Sequence, residues 1–533
     1  MKPNYKKKSN STKNKTVKNR HYNTDLCENK MSFQECEIAI LRHAVDETEK
    51  RQGQKKANSE DIKKILKIVE EFIVRKKLVC YGGTAINNIL PKYAQFYNRD
   101  IEIPDYDFFS PNALNDAKEL ADIYYKHGYI DVEAKAGIHM GTFKVFVNFI
   151  PIADITYMQK DLYAAISKDS IIVLNMHYAP PNYLRMAMYL ELSRPAGDVS
   201  RWEKVMKRLN LLNTHYPLVT KDSCHKLNFN EKMNANATDT ERLYITLRDT
   251  LVDQGVVFFG GYAMSLYSRY ADTKNIMRIP GFDVLSEEPD KCATIVKENL
   301  MRSGFKKIKL IHQPAFGEII PEHIEIRVGK NTMAFIYKPI ACHSYNEITI
   351  SDKKIRIATI DTILTFYLSF TYVDRPYYNK DRLLCMANFL FDIEQHNRLE
   401  QRGLLKRFSI DCYGKQLTLE DIRTEKANKY KELKNRRDSN EYEMWFLKYV
   451  PDKNKATTGK NAVKNTDNGS VTANEKEKGK NVDEYDDSSS DSDSSDDDDT
   501  QTDTIYNRLF GSSKNRKTRK NKIYKKKESE YFV

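Results

Sequence analysis

One pattern in this chain occurs twice, and it limits the fold more than any other feature. Leu78-Val79-Cys80-Tyr81-Gly82-Gly83, an apolar run ending in paired glycines, returns as Val256-Val257-Phe258-Phe259-Gly260-Gly261. Roughly twenty residues after each, Ile103-Pro104-Asp105-Tyr106-Asp107-Phe108-Phe109-Ser110 is matched by Ile279-Pro280-Gly281-Phe282-Asp283-Val284-Leu285-Ser286. Pro151-Ile152-Ala153-Asp154 is then matched by Pro339-Ile340-Ala341-Cys342. Three matches in the same order at similar offsets imply a duplicated fold. A chain of 533 residues is too long for one ordinary core, so two or three domains are expected.

In the first copy the pattern carries chemistry. A strand ending in Gly-Gly before a helix presents bare backbone N–H groups where a phosphate can dock. Side chains alternate across a strand, so Asp105 and Asp107 leave one face together. Two carboxylates that close repel each other unless a cation lies between them. Phe143 to Phe149 alternates like a strand and runs into a second apolar strand, Ile150 to Ile155, with Asp154 embedded in it. An acid in an apolar strand is costly unless paired or bound to metal, which makes Asp154 the natural third ligand, with capping a turn or an ion pair to Lys144 as the plainer alternatives. The second copy keeps only Asp283, because Gly281 stands for the first acid and Cys342 for the third. One carboxylate cannot assemble a two-metal site, so that copy is expected to be catalytically dead.

Gly82-Gly83, Asp105-x-Asp107 and Asp154 together resemble the polymerase-β-like nucleotidyltransferase signature. Tyr81-Gly82-Gly83-Thr84-Ala85 with Pro104 to Ser110 is similar, more narrowly, to the catalytic subunit of the poly(A) polymerases of large DNA viruses, the giant-virus and poxvirus type. The resemblance covers roughly residues 30 to 450 and departs in one place, a longer spacing between Gly83 and Asp105 read as an insertion over 93–100. It implies an α+β fold: a mixed-sheet nucleotidyltransferase core, preceded by N-terminal helices and followed by a degenerate second copy. It implies template-independent addition of adenylates from ATP to mRNA 3′ ends. In that scheme Asp105, Asp107 and Asp154 are catalytic and hold two Mg²⁺ or Mn²⁺ ions. Gly82, Gly83 and the Thr84 hydroxyl would hold the nucleotide triphosphate. Arg201, Lys204 and Arg208, assigned to one face of the helix after Asp198, would supply positive charge for the phosphates. The partners implied are an RNA 3′ end and ATP, with a homodimer or a viral processivity subunit. The implied location is the host cytoplasm, in viral factories or packaged in the virion.

Three rival functions stay open on the sequence. A uridylyl- or CCA-adding enzyme keeps the same acids. A nucleotide-sugar glycosyltransferase also uses Asp-x-Asp, but requires neither the Gly-Gly turn nor a third strand acid. A non-catalytic RNA-binding scaffold would leave the intact first triad without a purpose.

Charge divides the chain further. Residues 1–30 carry +7 and residues 451–533 carry none, which leaves +6 of the net +13 for residues 31–450. A mildly basic core with a basic arm suits a polyanion partner. Residues 1–30 are expected to be a disordered basic tail, 31–76 N-terminal helices, 77–217 the catalytic domain with a helical extension, and 218–450 the degenerate domain. Residues 451–533 form a low-complexity tail, with ten acids between Asp483 and Asp499 and nine Lys/Arg between Lys514 and Lys527. The longest apolar stretch, Ile363 to Val373, is too short and too rich in Thr, Ser and Tyr to span a bilayer, so a soluble intracellular protein without membrane partners is expected. Eight scattered cysteines without a Cys-x-x-Cys pair are expected to be reduced buried thiols.

Overall fold

Apolar residues recurring between Ile62 and Ile73 demand a helix with one dry face, and the chain builds it. In the computed structural model α1 spans Phe33–Ala57 and α2 spans Glu60–Lys76. Ile62, Ile65, Ile68, Val69, Phe72 and Ile73 are buried, while Leu66 is only half-buried. The structure describes residues 26–27, 31–98, 100–218, 224, 237–271, 281–397 and 400–451. Met1–Asn461 form one unit and Ala462–Val533 another, the second wholly outside the described residues. The expectations for residues 1–25, for the two charged runs of the C-terminal tail and for Ile279-Pro280 therefore also lie outside them.

The first sheet is built from β1 (Val79–Cys80), β2 (Tyr106–Ser110), β3 (Val132–Ala136), β4 (Thr142–Val147), β5 (Ile150–Tyr157), β6 (Ile171–Val173) and β7 (Met176–Tyr178). Its order is β3-β4-β5-β2-β1-β7-β6. Along the chain α3 (Gly82–Ile89) follows β1, α4 (Ala113–Lys126) follows β2, α5 (Lys160–Lys168) follows β5, and α6 (Pro181–Leu192) and α7 (Trp202–His215) follow β7. The single strand expected over 143–149 ends early. Asn148 and Phe149 both take positive φ, 51° and 63°, and make the two-residue turn that joins β4 to β5.

The second sheet repeats this plan. After α8 (Ala237–Asp253) come β8 (Val257–Phe258), α9 (Gly261–Tyr267), β9 (Phe282–Leu285), α10 (Pro289–Arg302), β10 (Ile308–Gln313), β11 (His323–Val328), β12 (Asn331–Tyr337), β13 (His343–Ile350), β14 (Lys353–Ala358) and α11 (Ile360–Phe370). The order β10-β11-β12-β9-β8-β14-β13 matches the first sheet strand for strand. The orientations match too: β5 is parallel to β2 as β12 is to β9, and β1 is parallel to β7 as β8 is to β14. The helix before β1, α2, has its counterpart in α8, so the repeated unit begins with α2. The fold is thus the expected α+β plan, a mixed-sheet core preceded by N-terminal helices and followed by a second copy.

α11 contains most of the longest apolar stretch of the sequence, and all eleven of its residues are buried. It packs on α6 of the first copy and on α12 (Lys380–Asn397). Ile363, Leu364, Phe366, Leu368 and Phe370 each contribute about 1.5–3 kcal/mol by leaving water. The polar groups are satisfied locally: Thr365 and Ser369 hydroxyls donate to the carbonyls four residues back. Among the described residues no helix is long and apolar enough to cross a membrane.

The end of the described chain divides its allegiance. β15 (Cys412–Tyr413) extends the second sheet beside β13. After α13 (Leu419–Leu433) and α14 (Asn440–Phe446), β16 (Lys448–Tyr449) returns to the first sheet and pairs with β3.

The expectation of eight reduced thiols is corrected. Cys27–Cys36, Cys224–Cys385 and Cys342–Cys412 are disulfides with Cα separations of 5.1, 5.6 and 5.1 Å, while Cys80 and Cys292 are free and buried. The partners of two of the bonds lie 161 and 70 residues apart, so only the folded chain brings them together.

Candidate active site

Opposite faces of β2 have opposite tasks. Tyr106 and Phe108 are fully buried; the Tyr106 hydroxyl donates to Glu70 on α2 and the Phe108 ring lies 6.4 Å from that of Phe72. That anchoring turns Asp107, and by alternation Asp105, toward the other, half-open face. Asp105 precedes the strand itself, and its carbonyl accepts the Thr84 hydroxyl at 2.7 Å. The Thr84 side chain thus ties the start of α3 to the acid strand.

β5 runs parallel to β2 with Asp154 as the register neighbour of Asp107, one strand spacing or about 4.8 Å away. The structure therefore brings the third acid beside the pair. On the far side of β5, Lys144 of β4 faces Asp154, and its Nζ donates to Asp154 Oδ2 at 2.9 Å. Asp154 Oδ1 is buried and has no hydrogen-bond partner among the described residues. Burial alone would push the Lys144 ammonium down. Attraction to Asp154, and then to Asp105 and Asp107, holds it above its ordinary value, so all three carboxylates share its field. Tyr81 forms a wall of the same site. Its ring stacks on Phe109 at 3.9 Å, its hydroxyl bonds the Thr156 hydroxyl at 2.8 Å, and burial followed by the charge of Asp107 pushes its phenol well up.

The glycines earn their place by close approach. Gly82 has φ +73°, and a Cβ there would lie 2.4 Å from Asp107 Oδ2. A Cβ on Gly83 would lie 2.6 Å from the Tyr97 hydroxyl and 3.0 Å from Arg208 Nη1. Tyr97, in the stretch read as an insertion, therefore lies over the glycine turn, and Phe96 beside it is held in the same segment. Asn87 Oδ1 holds it through the N–H groups of Phe96 and Tyr97, at 2.8 and 2.9 Å. Arg208 Nη2 donates to the Tyr97 hydroxyl at 2.6 Å, and its guanidinium lies over the Phe96 ring.

Of the three cations expected on one face of α7, Arg208 meets the glycine turn. It is buried beside Val205, Leu209 and Leu212, which corrects its assignment to the same face as Arg201. Arg201, exposed at the start of the helix, pairs with Glu191 at 3.2 Å. Lys204 is half-buried in the next turn.

The second copy shows what the first has kept. A Cβ on Gly260 would strike Asp283 Oδ2 as one on Gly82 would strike Asp107, so the two glycine turns are equivalent. The counterpart of Asp154 is a different residue from the expected Cys342. β12 pairs with β9 so that Phe335 faces Asp283, just as Asp154 faces Asp107. Phe335 packs at 4.6 Å on Tyr377, and Glu325 stands where Lys144 stands in the first copy. An aromatic ring thus fills the third ligand position, and Cys342 is occupied in the disulfide to Cys412.

The donor set of the first copy fits a divalent cation. Three carboxylates gather on one face, with Asp154 Oδ1 buried and unbonded among the described residues, beside a turn that tolerates no Cβ. Among the described residues, no three His, Cys, Asp or Glu side chains are already arranged around an ion position.

Comparison with known proteins finds relatives of the same segment. Residues 67–198, which include the glycine turn and all three acids, match the family described as poly(A) polymerase catalytic subunit. A protein of African swine fever virus named as such a subunit is 36% identical over 170 residues, which are 31% of this chain and 35% of that one. The one from Acanthamoeba polyphaga mimivirus is 29% identical over 215 residues, 39% of this chain and 35% of that one. The matched part spans about a third of the length of these relatives. The crystal structure of the Megavirus polyadenylate synthase superposes with a TM-score of 0.66 at 20% identity, covering 81% of this chain and 89% of that one. Coverage that wide extends over both sheets, so the duplicated architecture is shared. By sequence over residues 67–198, and by fold over most of its length, the chain is similar to the poly(A) polymerase catalytic subunits of large DNA viruses.

Proposed function

We propose that this chain is a template-independent polynucleotide adenylyltransferase that extends the 3′ ends of mRNA from ATP. The observation that carries the reading is the register of Asp154 beside Asp107, next to Gly82, within the segment that matches the poly(A) polymerase family. Asp105, Asp107 and Asp154 would hold two divalent cations, Mg²⁺ or Mn²⁺. Such ions supply acidity for an RNA 3′-hydroxyl and charge neutralisation for pyrophosphate.

The chain's own residues do the rest. Gly82 and Gly83 leave the N-terminus of α3 bare, so its N–H groups meet the triphosphate of ATP. Arg208, fixed by Tyr97 and Phe96, sets a positive charge beside that turn. Asp154 takes up the hydroxyl proton. Thr84 acts through Asp105, whose backbone it fixes, rather than on the nucleotide.

The test is to incubate the protein with labelled RNA and Mg²⁺ and with each nucleoside triphosphate separately. ATP is expected to give the longest products. Equal or greater extension with UTP or CTP removes the poly(A) reading. Asp105→Ala with Asp107→Ala is expected to abolish extension while leaving RNA binding in place; a double variant that still polymerises shows the site to be wrong.

A further inference from the structure

Asp154 has an answer to its own charge within the protein. Lys144 Nζ lies 2.9 Å from Asp154 Oδ2, with only 24% and 16% of the two side chains exposed. The same ammonium is drawn to Asp105 and Asp107 as well. Its direct partner is Asp154.

The duplication supplies an internal control. In the second copy the register position of Asp154 is held by Phe335, and the position facing it by Glu325 instead of a lysine. Where the acid is gone, its lysine is gone too. Phe335 and Glu325 belong to a sheet of the same strand order, so sheet geometry alone does not call for a cation there.

We propose that Lys144 is a positioning residue that latches Asp154 in the metal-free protein and releases it to a divalent cation. The proposal rests on the reading of the three acids as a metal site. Its consequence follows from linkage: an interaction that stabilises only the metal-free form weakens metal binding by the same factor. Without the lysine the part-buried Asp154 carboxylate loses its ion-pair partner beside two further acids, and the metal-free protein loses stability.

Full-length wild type, Lys144→Met, Lys144→Arg and Asp154→Asn are titrated with Mn²⁺, free ion being read by electron paramagnetic resonance. Thermal unfolding is followed in parallel with chelator. Lys144→Met is expected to bind Mn²⁺ about three- to tenfold more tightly, the range set by a half-buried ion pair. It should also melt earlier in chelator and reach half-maximal RNA extension at lower Mg²⁺. Lys144→Arg keeps the charge and is expected to track the wild type. If Lys144→Met does not fold, Lys144→Gln takes its place with the same expectation. Mn²⁺ binding by the uncharged variant that equals or falls below wild type overturns the latch alone, provided Asp154→Asn lowers binding. Wild-type binding that is absent, or unchanged in Asp154→Asn, overturns the latch and the metal reading together.

Discussion

At the residue scale the site depends on what is missing as much as on what is present. Gly82→Ala puts a Cβ at φ +73° against Asp107 Oδ2. The backbone penalty is about 1–2 kcal/mol, and displacing the acid is expected to cost about a hundredfold in RNA extension. Primer-extension rates alongside thermal melts check both. His343 makes a different prediction. Its ring is fully buried against Phe366, neither nitrogen has a hydrogen-bond partner among the described residues, and burial first, then Arg194, push its pKa down to about 3. The unfolded chain takes up a proton near the ordinary 6.5 while the folded one does not, so this residue costs stability as pH falls from 6.5 toward 3. At pH 5 the loss is on the order of 2 kcal/mol. Urea denaturation of His343→Leu at pH 8 and pH 5 is expected to show a smaller pH difference than wild type; an unchanged difference contradicts it. Asp105, Asp107 and Asp154 were legible in the sequence because acids are conspicuous in apolar strands. Phe335 was not, because a phenylalanine in a strand looks like ordinary core.

At the element scale, strands were read from alternation and turns were missed. Nothing in Asn148-Phe149 signals the two-residue turn by glycine, and Phe149 spends a left-handed conformation on an exposed side chain. The register shift between Val145 and Phe146 is equally silent. Counted from the turn without that bulge, Lys144 would face Ala153; with it, Lys144 faces Asp154. The second copy is held by another element-level device. Arg407 pairs with Asp361 of α11 at 2.7 Å and with Glu394 of α12, all three being nearly buried. Arg407→Leu strands two carboxylates in the interior and is expected to cost about 3–5 kcal/mol. Adding Asp361→Asn and Glu394→Gln should recover much of it, as measured by equilibrium unfolding. No recovery would mean that Arg407 acts through packing instead of charge.

For the molecule as a whole, the duplication was legible because the same strand-turn-helix grammar recurs at matching offsets. The return of β16 to the first sheet was not. A two-residue strand carries no periodicity, and its partner β3 lies more than three hundred residues earlier. Backbone and side-chain bonds reinforce the return: Ala136 N–H donates to the Leu447 carbonyl, Lys118 pairs with Glu443 and the Tyr449 hydroxyl donates to Asp122. A chain truncated after Arg437 is expected to exchange the β3 amides faster while the β11 and β12 amides stay protected. Hydrogen exchange with mass spectrometry reads both regions in one experiment, and unaltered β3 protection would refute a structural role for the return.

The central claim is that one copy of the duplicated fold holds metal and the other does not. Anomalous diffraction from crystals soaked with Mn²⁺ and a non-hydrolysable ATP analogue addresses it directly. The account predicts anomalous peaks within bonding distance of Asp105, Asp107 and Asp154, with the triphosphate against Gly82 and Gly83, and no peak at Asp283. Peaks at Asp283, or none touching Asp154, would contradict it.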